Sequence, residues 1–146
     1  MAASQAGLGY NSKFYMGSAS SPISYNLMSE LSSINLNDFS VPAIDVTHLT
    51  SPNTTEEMIP GMIKPGTIQL HGNFIGDSSQ LAVNTAAVAR TVFAWKITSV
   101  LGTTQTLTIT GNGFISKQEI GPAEPNKKLD FKVDIQVTGT LTYNVA

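Results

Sequence analysis

The C-terminal part of the chain alternates apolar and polar residues with a period of two. Its apolar members are Leu129, Phe131, Val133, Ile135 and Val137, and polar residues stand between them. This period is typical of a β-strand with one buried face. The parity resumes after Gly139, so that glycine indicates a bend or bulge inside the element. Because ordering the backbone costs about as much as burial of these side chains contributes, the strand is stable only against a second packed layer.

Other alternating stretches predict further antiparallel strands. Their apolar positions are Ile23, Tyr25, Leu27 and Leu31, then Ile68, Leu70 and Phe74, then Phe93, Trp95 and Ile97, and finally Leu107 and Ile109. Gly111-Asn112-Gly113 and Gly121-Pro122 supply turn residues between strands. Pro42 places the stretch 41–49 at a sheet edge or at the start of a strand.

One segment has the period of a helix, predicted from Ser78 to Arg90. Asp77 suits the N-cap and Gln80 the position N3. Positions on one helical face are Leu81, Thr85, Val88 and Val92. Together the elements predict an all-β domain, a β-sandwich or barrel, flanked by this one α-helix.

The chain carries few charges. Asp, Glu, Lys and Arg make up 12% of the 146 residues, with a net charge of −2, so no basic field attracts phosphate backbones from solution. There is no cysteine for a disulfide or a thiolate metal site. The sequence has neither a basic, apolar leader at its start nor a run of ~20 apolar residues, so we expect a cytoplasmic protein without a membrane span.

No group of residues has the pattern of an active site. His48 and His71 are too few for a metal site, which usually needs three or four ligands. His48 lies near Asp45 and Ser51, but all three share one short segment without a nucleophile elbow. We therefore expect no catalytic residue, no cofactor and no metal. A mixed-charge surface ladder is expected at Asp130, Lys132 and Asp134.

Two segments do not fit a self-sufficient domain. Residues 1–10 predict a flexible N-terminal arm ahead of a single domain over 11–146. Residues 50–66 form a long, proline-interrupted loop, in which Thr54 and Glu57 could cap one helical turn. The loop keeps four apolar residues, Met58, Ile59, Met62 and Ile63. On physical grounds they either cover the protein's own core or contact a partner.

A longer pattern runs from Val41 to Phe74. Ile44-Asp45-Val46-Thr47 ends a strand, a loop with glutamates follows, and Gly61 precedes Pro65-Gly66-Thr67 and the next strand. In this pattern, and in the order of the later elements, the chain resembles the major tail tube proteins of lambda-like long-tailed phages. The resemblance implies a non-enzymatic subunit that forms hexameric rings, whose inner sheets join into one barrel and whose loops and termini stack the rings. Related tubes occur in contractile tails, gene transfer agents and type VI secretion.

The resemblance also implies partners and a location. The partners are other copies of the chain, a tape measure protein and tail terminator and initiator proteins, and the location is a virion tail assembled in the host cytoplasm. The four apolar loop residues become candidates for inter-ring or inter-subunit contact.

DNA is expected to pass through the lumen of such a tube without tight binding, because strong phosphate contacts would stall it. The wall is therefore expected to lack Lys and Arg. The lumen-facing candidates are Ser24, Asn26, Glu30, Asp45 and Thr47.

A β-sandwich binding module, for carbohydrate or a cell-surface partner, is the alternative class. Such a module needs exposed rings, and the aromatic residues not assigned to the core are Tyr10, Phe14 and Tyr15.

Overall fold

The computed structural model describes residues 11–18, 22–37, 39–102 and 104–146, so the predicted N-terminal arm over 1–10 lies outside the described residues. The elements in chain order are β1 (Lys13–Gly17), β2 (Tyr25–Leu27), β3 (Leu31–Asn37), β4 (Ala43–Asp45), a 3₁₀ turn (Pro52–Thr54), β5 (Met58–Pro60), β6 (Thr67–Asn73), α1 (Ser78–Ala89), β7 (Phe93–Leu101), β8 (Gln105–Ile120) and β9 (Asp130–Val145). Seven strands form one antiparallel sheet in the order β2-β1-β7-β8-β9-β6-β3, and β4 and β5 form a separate pair. The predicted fold class, mainly β with one flanking helix, is confirmed.

The two long strands β8 and β9 hold the sheet together. They pair from Leu107–Val145 to Ile120–Phe131, with bulges that bend the ladder. β7 pairs only with residues 105–113 of β8, and β6 only with residues 130–136 of β9. The β8–β9 hairpin therefore belongs to two smaller sheets. One also contains β1, β2 and β7, and the other contains β3 and β6.

The sheet must be rolled, because its two edge strands are neighbours in sequence. β2 ends at Leu27 and β3 begins at Leu31, and four Cα steps span at most about 15 Å. In a flat sheet of seven strands the edges would lie about 29 Å apart. The short linker contacts both sides, since Met28 N–H donates to the Phe14 carbonyl (3.0 Å) and Asn73 N–H donates to the Glu30 carbonyl (2.9 Å).

The core fills the space inside the roll. Its fully buried side chains include Phe14, Ile68, Leu70, Trp95, Phe131, Val133, Ile135 and Val137. The alternation predicted for β6, β7 and the first half of β9 is confirmed by this burial. Beyond Gly139, whose φ of +79° marks a bulge, the parity no longer predicts burial, because Tyr143 and Val145 are half exposed.

Gly111 and Gly113 lie inside β8, so their prediction as turn residues is wrong. A Cβ on Gly111 would stand 2.9 Å from both the Trp95 ring and the Leu141 side chain, and one on Gly113 would stand 2.6 Å from the Gln136 carbonyl. These glycines allow close packing where β8 crosses the core. The strand predicted around Leu107 and Ile109 therefore continues through both glycines to Ile120.

The helix begins as predicted but presents a different face to the core. Asp77 accepts the N–H of Gln80 (3.1 Å) as the N-cap. The Gln80 side chain is fully buried, accepts from the N–H groups of Ile75 (2.9 Å) and Gly76 (3.0 Å) and donates to the Asn73 carbonyl (2.7 Å). This amide directs positions 80, 83 and 86 inward. The predicted face is therefore wrong, and Leu81, Val88 and Val92 are at least half exposed.

The start of the chain also differs from the prediction. The strand expected from Ile23 to Leu31 is divided into β2 and β3 by a turn at Glu30, whose φ is +59°. Phe14, which was not assigned to the core, is fully buried and stacks on Trp95 with ring centroids 6.5 Å apart. Tyr15 contributes one of two rings around Lys96, whose ammonium lies 4.6 Å from the ring centroid.

Replacing Asp77 by Ala should lower the free energy of unfolding by about 0.5–2 kcal/mol at pH 7, as loss of an N-cap does. The Ser29 hydroxyl, and next that of Ser79, lower the pKa of Asp77 below its ordinary 3.8. A carboxyl with a lowered folded-state pKa stabilises the fold above its unfolded pKa, and this stabilisation is lost as the pH falls through the folded pKa. The difference between wild type and variant in urea unfolding should therefore shrink below pH ~3.8. A difference that persists unchanged at lower pH would contradict this role.

Candidate functional site: surfaces for assembly

The connection between β3 and β6 is an arm, here defined as residues 39–66. Ser40 and Lys64 exchange backbone hydrogen bonds at its base (3.0 and 2.8 Å). Above the base, β4 pairs with β5 in antiparallel register, with Ile44 opposite Ile59. The predicted loop over 50–66 therefore contains a strand and forms half of a hairpin that extends from the sheet.

Polar contacts order the tip of the arm. Glu57 N–H donates to the Thr47 hydroxyl (2.8 Å), and Ser51 donates its hydroxyl to the Glu57 carboxylate (2.9 Å). Glu57 is thus held in the hairpin, and the predicted cap between Thr54 and Glu57 is wrong. Thr47 N–H donates to Asp45 (2.8 Å), and hydrogen bonding to Thr47 lowers the pKa of the Asp45 carboxyl.

His48 belongs to the same network. Its Nδ1 accepts the N–H of Thr50 (3.2 Å), so the neutral ring carries its proton on Nε2, which lies 3.2 Å from the Glu57 carboxylate. The Ser51 hydroxyl donates to Glu57 and not to His48. The arrangement orders a turn and contains no nucleophile–base pair.

The arm leaves most of its large apolar side chains exposed. The four predicted contact residues are exposed to 52% at Met58, 48% at Ile59, 87% at Met62 and 59% at Ile63. The rest of the arm adds exposed apolar residues that were not among the predicted contact residues: Phe39, Val41, Ile44, Val46 and Leu49. Three of them, Ile44, Val46 and Leu49, are apolar residues between Pro42 and Pro52, a pattern that could have indicated a contact surface. Of the two alternatives for the loop, this exposure favours contact with a partner over coverage of the protein's own core, and the contact stays a prediction.

Both smaller sheets have an edge that no described strand covers. Residues 114–120 of β8 pair with β9 alone, because β7 ends opposite Gly113. On the other side of the hairpin, β6 reaches β9 only as far as Val137, through the Gly66 carbonyl (3.1 Å). Such edges are templates for pairing with another chain.

The outer face of β6, β8 and β9 carries the predicted mixed-charge ladder. Lys132 lies opposite His71 and Glu119, and Asp134 lies opposite Gln69 and Lys117. These side chains line a polar concavity of about 230 Å³. Asp130 bonds Lys128 instead (2.6 Å), and this bond lowers its pKa.

The five lumen candidates do not share one surface strand. Asn26 lies on β2 with Ser24 just before it, and Glu30 occupies the turn before β3, where it accepts from the Asn73 amide (2.9 Å). Asp45 and Thr47 lie on the arm. All five are exposed, and their assignment to a DNA channel stays a prediction.

Within the ranges that the structure describes, no cluster of three or more His, Cys, Asp or Glu could hold a metal ion. The described helix is also too short and insufficiently apolar to cross a membrane.

Solved structures share this fold over almost the whole chain. A chain from the tail of an empty gene transfer agent particle, refined with C6 symmetry, superposes with a TM-score of 0.77 at 16% identity, covering 95% of this chain and 99% of that one. The SPP1 tail tube gives 0.65 at 15% identity, with 94% and 78% covered. The tube-terminating cap of the anti-feeding prophage gives 0.71 at 13% identity, with 100% and 95% covered. The chain therefore has a tail-tube-like fold.

The sequence matches no known family profile and no curated protein.

Replacing Phe131 by Ala should lower the free energy of unfolding by about 3–5 kcal/mol, because this fully buried ring would leave a cavity. Replacing Met62 by Glu should change it by less than about 0.5 kcal/mol, because Met62 is 87% exposed. Urea unfolding of dilute protein measures both. A strongly destabilised Met62→Glu variant would show that the arm's apolar residues support the fold.

Proposed function

We propose that this chain is the major tube subunit of a long, lambda-like phage tail, which assembles into stacked hexameric rings around a DNA conduit. The observation that carries the proposal is the arm. It exposes nine large apolar side chains in one hairpin, and a two-stranded hairpin is at best marginally stable in water without further packing.

The amount of exposed apolar surface fits a protein–protein contact of standard size. The exposed fractions of these side chains add up to about five whole side chains, or roughly 500 Å² at ~100 Å² each. One side of a standard interface covers about 800 Å², of which a little over half is apolar. The arm alone therefore supplies the apolar part of one such interface.

The uncovered sheet edges support continuous sheets between copies. β3 and residues 114–120 of β8 are the outer strands of the smaller sheet that contains β6. When β3 of one copy pairs with β8 of the next, the sheet continues around the ring without an exposed edge.

The same proposal covers the other partners and the location. The chain works in a virion tail assembled in the host cytoplasm, contacts a tape measure protein and tail terminator and initiator proteins, and performs no catalysis. DNA passes along a wall that includes Ser24, Asn26, Glu30, Asp45 and Thr47.

The alternative, a carbohydrate-binding module, is less well supported. Stacking on sugars needs exposed rings, but Phe14 is fully buried and Tyr15 faces Lys96. Tyr10 lies outside the described residues. Neither Phe14 nor Tyr15 therefore offers a flat platform, and the exposed rings among the described residues are Phe39, Phe114 and Tyr143.

Concentrated wild-type protein should form rings or tubes in electron micrographs, and Met62→Glu should prevent them. The new carboxylate would have to be buried without a partner in the contact. Asn84→Glu is the matched control, because it adds the same charge at an exposed helix position outside the arm, and it should assemble normally. A wild-type protein that stays monomeric at every concentration would contradict the proposed function.

Replacing Glu30 by Lys should leave tubes intact but slow DNA delivery and make it depend on salt. Each lysine in the wall adds a phosphate contact whose strength falls with ionic strength. The experiment measures DNA delivery by particles whose tubes contain the variant. Asn84→Lys, which adds a lysine at an exposed helix position, is the control. Unchanged delivery at low salt would place Glu30 away from the channel.

A further inference from the structure

Residues 114–120 of β8 form a strand edge with which no described strand other than β9 pairs, because β7 ends opposite Gly113. These residues are called the β8 edge. Ser116, Lys117 and Glu119 are exposed along it. An uncovered edge is a template for a further strand, so the side chains of the β8 edge decide which strand fits.

The backbone of the β8 edge offers hydrogen-bonding groups at alternate residues. At the end of the strand, Gly121 N–H donates to the Asp130 carbonyl across the ladder (2.9 Å). Backbone groups alternate in direction along an antiparallel strand. Those of Lys117 and Glu119 therefore point to β9, and those of Gln118 point to the uncovered side.

The β8 edge carries two charges of opposite sign on the same face, Lys117 and Glu119. Within one copy, Lys117 lies opposite Asp134, and Glu119 lies opposite Lys132. In the described part of the chain, no ion pair involves Lys117 or Glu119. Both charges are therefore available to a neighbouring strand.

We propose that two copies of this chain pair through their β8 edges, in antiparallel register around a two-fold axis at Gln118. This register places Lys117 of each copy opposite Glu119 of the other in a non-hydrogen-bonded pair, where side chains lie closest. Gln118 faces its own counterpart and exchanges backbone hydrogen bonds with it. Lys132 and Asp134 extend the alternation of signs into β9 of both copies.

Charge selects this register over its neighbours. A two-fold axis at Lys117 or at Glu119 places like charges directly opposite each other, which destabilises a strand pair. A shift by one residue turns the outer face of one copy to the core side of the other. Pairing with β3 offers these charges no counterpart, because the β3 residues on that face are Ser33, Asn35 and Asn37.

The dimer competes with the ring, because the proposed function uses the same β8 edge to receive β3. Its two copies run in opposite directions along their strands, whereas the copies of a stacked ring share one direction. The dimer is therefore a storage form of the free subunit, which separates before a ring forms. The contact between β8 edges does not rest on the proposed function, but its effect on assembly does.

Charge reversal tests the register, with sedimentation of dilute protein at low salt as the measurement. Lys117→Glu and Glu119→Lys should each weaken the dimer at least about tenfold, because like charges then face each other twice. The double variant Lys117→Glu/Glu119→Lys should restore it to within about threefold, and so should an equimolar mixture of the two single variants. The control Lys13→Glu, at an exposed position of β1, should change dimerisation less than about twofold.

Two results overturn the proposal. One is a wild-type protein that stays monomeric up to the concentration at which rings form. The other is a double variant that dimerises as weakly as the single variants, because only a contact between residues 117 and 119 responds to the exchange of their signs.

Cysteine pairs give an independent readout, because the chain contains no cysteine of its own. The Cα atoms of a non-hydrogen-bonded pair lie about 4.5 Å apart, which a disulfide can bridge. Lys117→Cys mixed with a tagged Glu119→Cys protein should therefore give a mixed disulfide on oxidation. Lys117→Cys mixed with a tagged Asn35→Cys protein tests β3 as the partner of the free subunit. Preferential crosslinking in this second mixture overturns the proposal.

Ring formation separates this inference from the proposed function. At low salt, Lys117→Glu should form rings at a total concentration at least about twofold below that of wild type, because no dimer withholds subunits. The difference should disappear at high salt, which screens exposed ion pairs. Ring formation that is unchanged by loss of the dimer overturns the storage role. Dimers of a protein that forms neither rings nor tubes support the contact and contradict the proposed function.

Discussion

The fold depends on the pairing of β8 with β9. Among the described residues, these two strands of 16 residues each are the only part of the sheet that belongs to both of its halves. Bending this hairpin requires that backbone and side chains approach closely at the bend, which Gly111 allows beside Trp95. The edge strands can then meet through the short linker after Leu27. The buried apolar side of β9 fills the interior of the resulting roll.

Much of this fold could be predicted from local patterns. The alternation in β6, β7 and the first half of β9 indicates which side chains are buried, because a strand has only two faces and the apolar one faces the core. The start of the helix follows from Asp77, whose carboxylate caps the first turn. Its orientation could not be predicted, because it depends on Gln80, a polar residue that is buried to satisfy backbone groups at the end of β6. The position of Gly111 inside a strand depends equally on tertiary contact with Trp95.

Some of the candidate assembly surfaces could be predicted and others could not, again because the latter depend on tertiary contacts. Apolar residues in a proline-interrupted connection have few ways to be buried locally, so the exposure of Met58 and Met62 was one of the two alternatives that the sequence left open. An apolar groove lined by Phe39, Leu141 and Tyr143, among others, could not be predicted, since it exists only where the ends of β6 and β9 diverge. The lumen candidates were chosen by strand parity, and the turn at Glu30 breaks the strand on which that parity was counted.

The two uncovered edges of the sheet that contains β6, namely β3 and residues 114–120 of β8, are unlike surfaces of a single chain, so an assembly that joined them would have a direction. A contact between different surfaces is heterologous, so it closes into a ring or continues as a filament. In an open row of copies joined in this way, every interior copy would have both edges paired, but one terminal copy would expose β3 and the other the edge of β8. The two ends then differ in chemistry and in conformational entropy. Growth rates at the two ends therefore need not be equal, and a protein that caps one end has no reason to recognise the other.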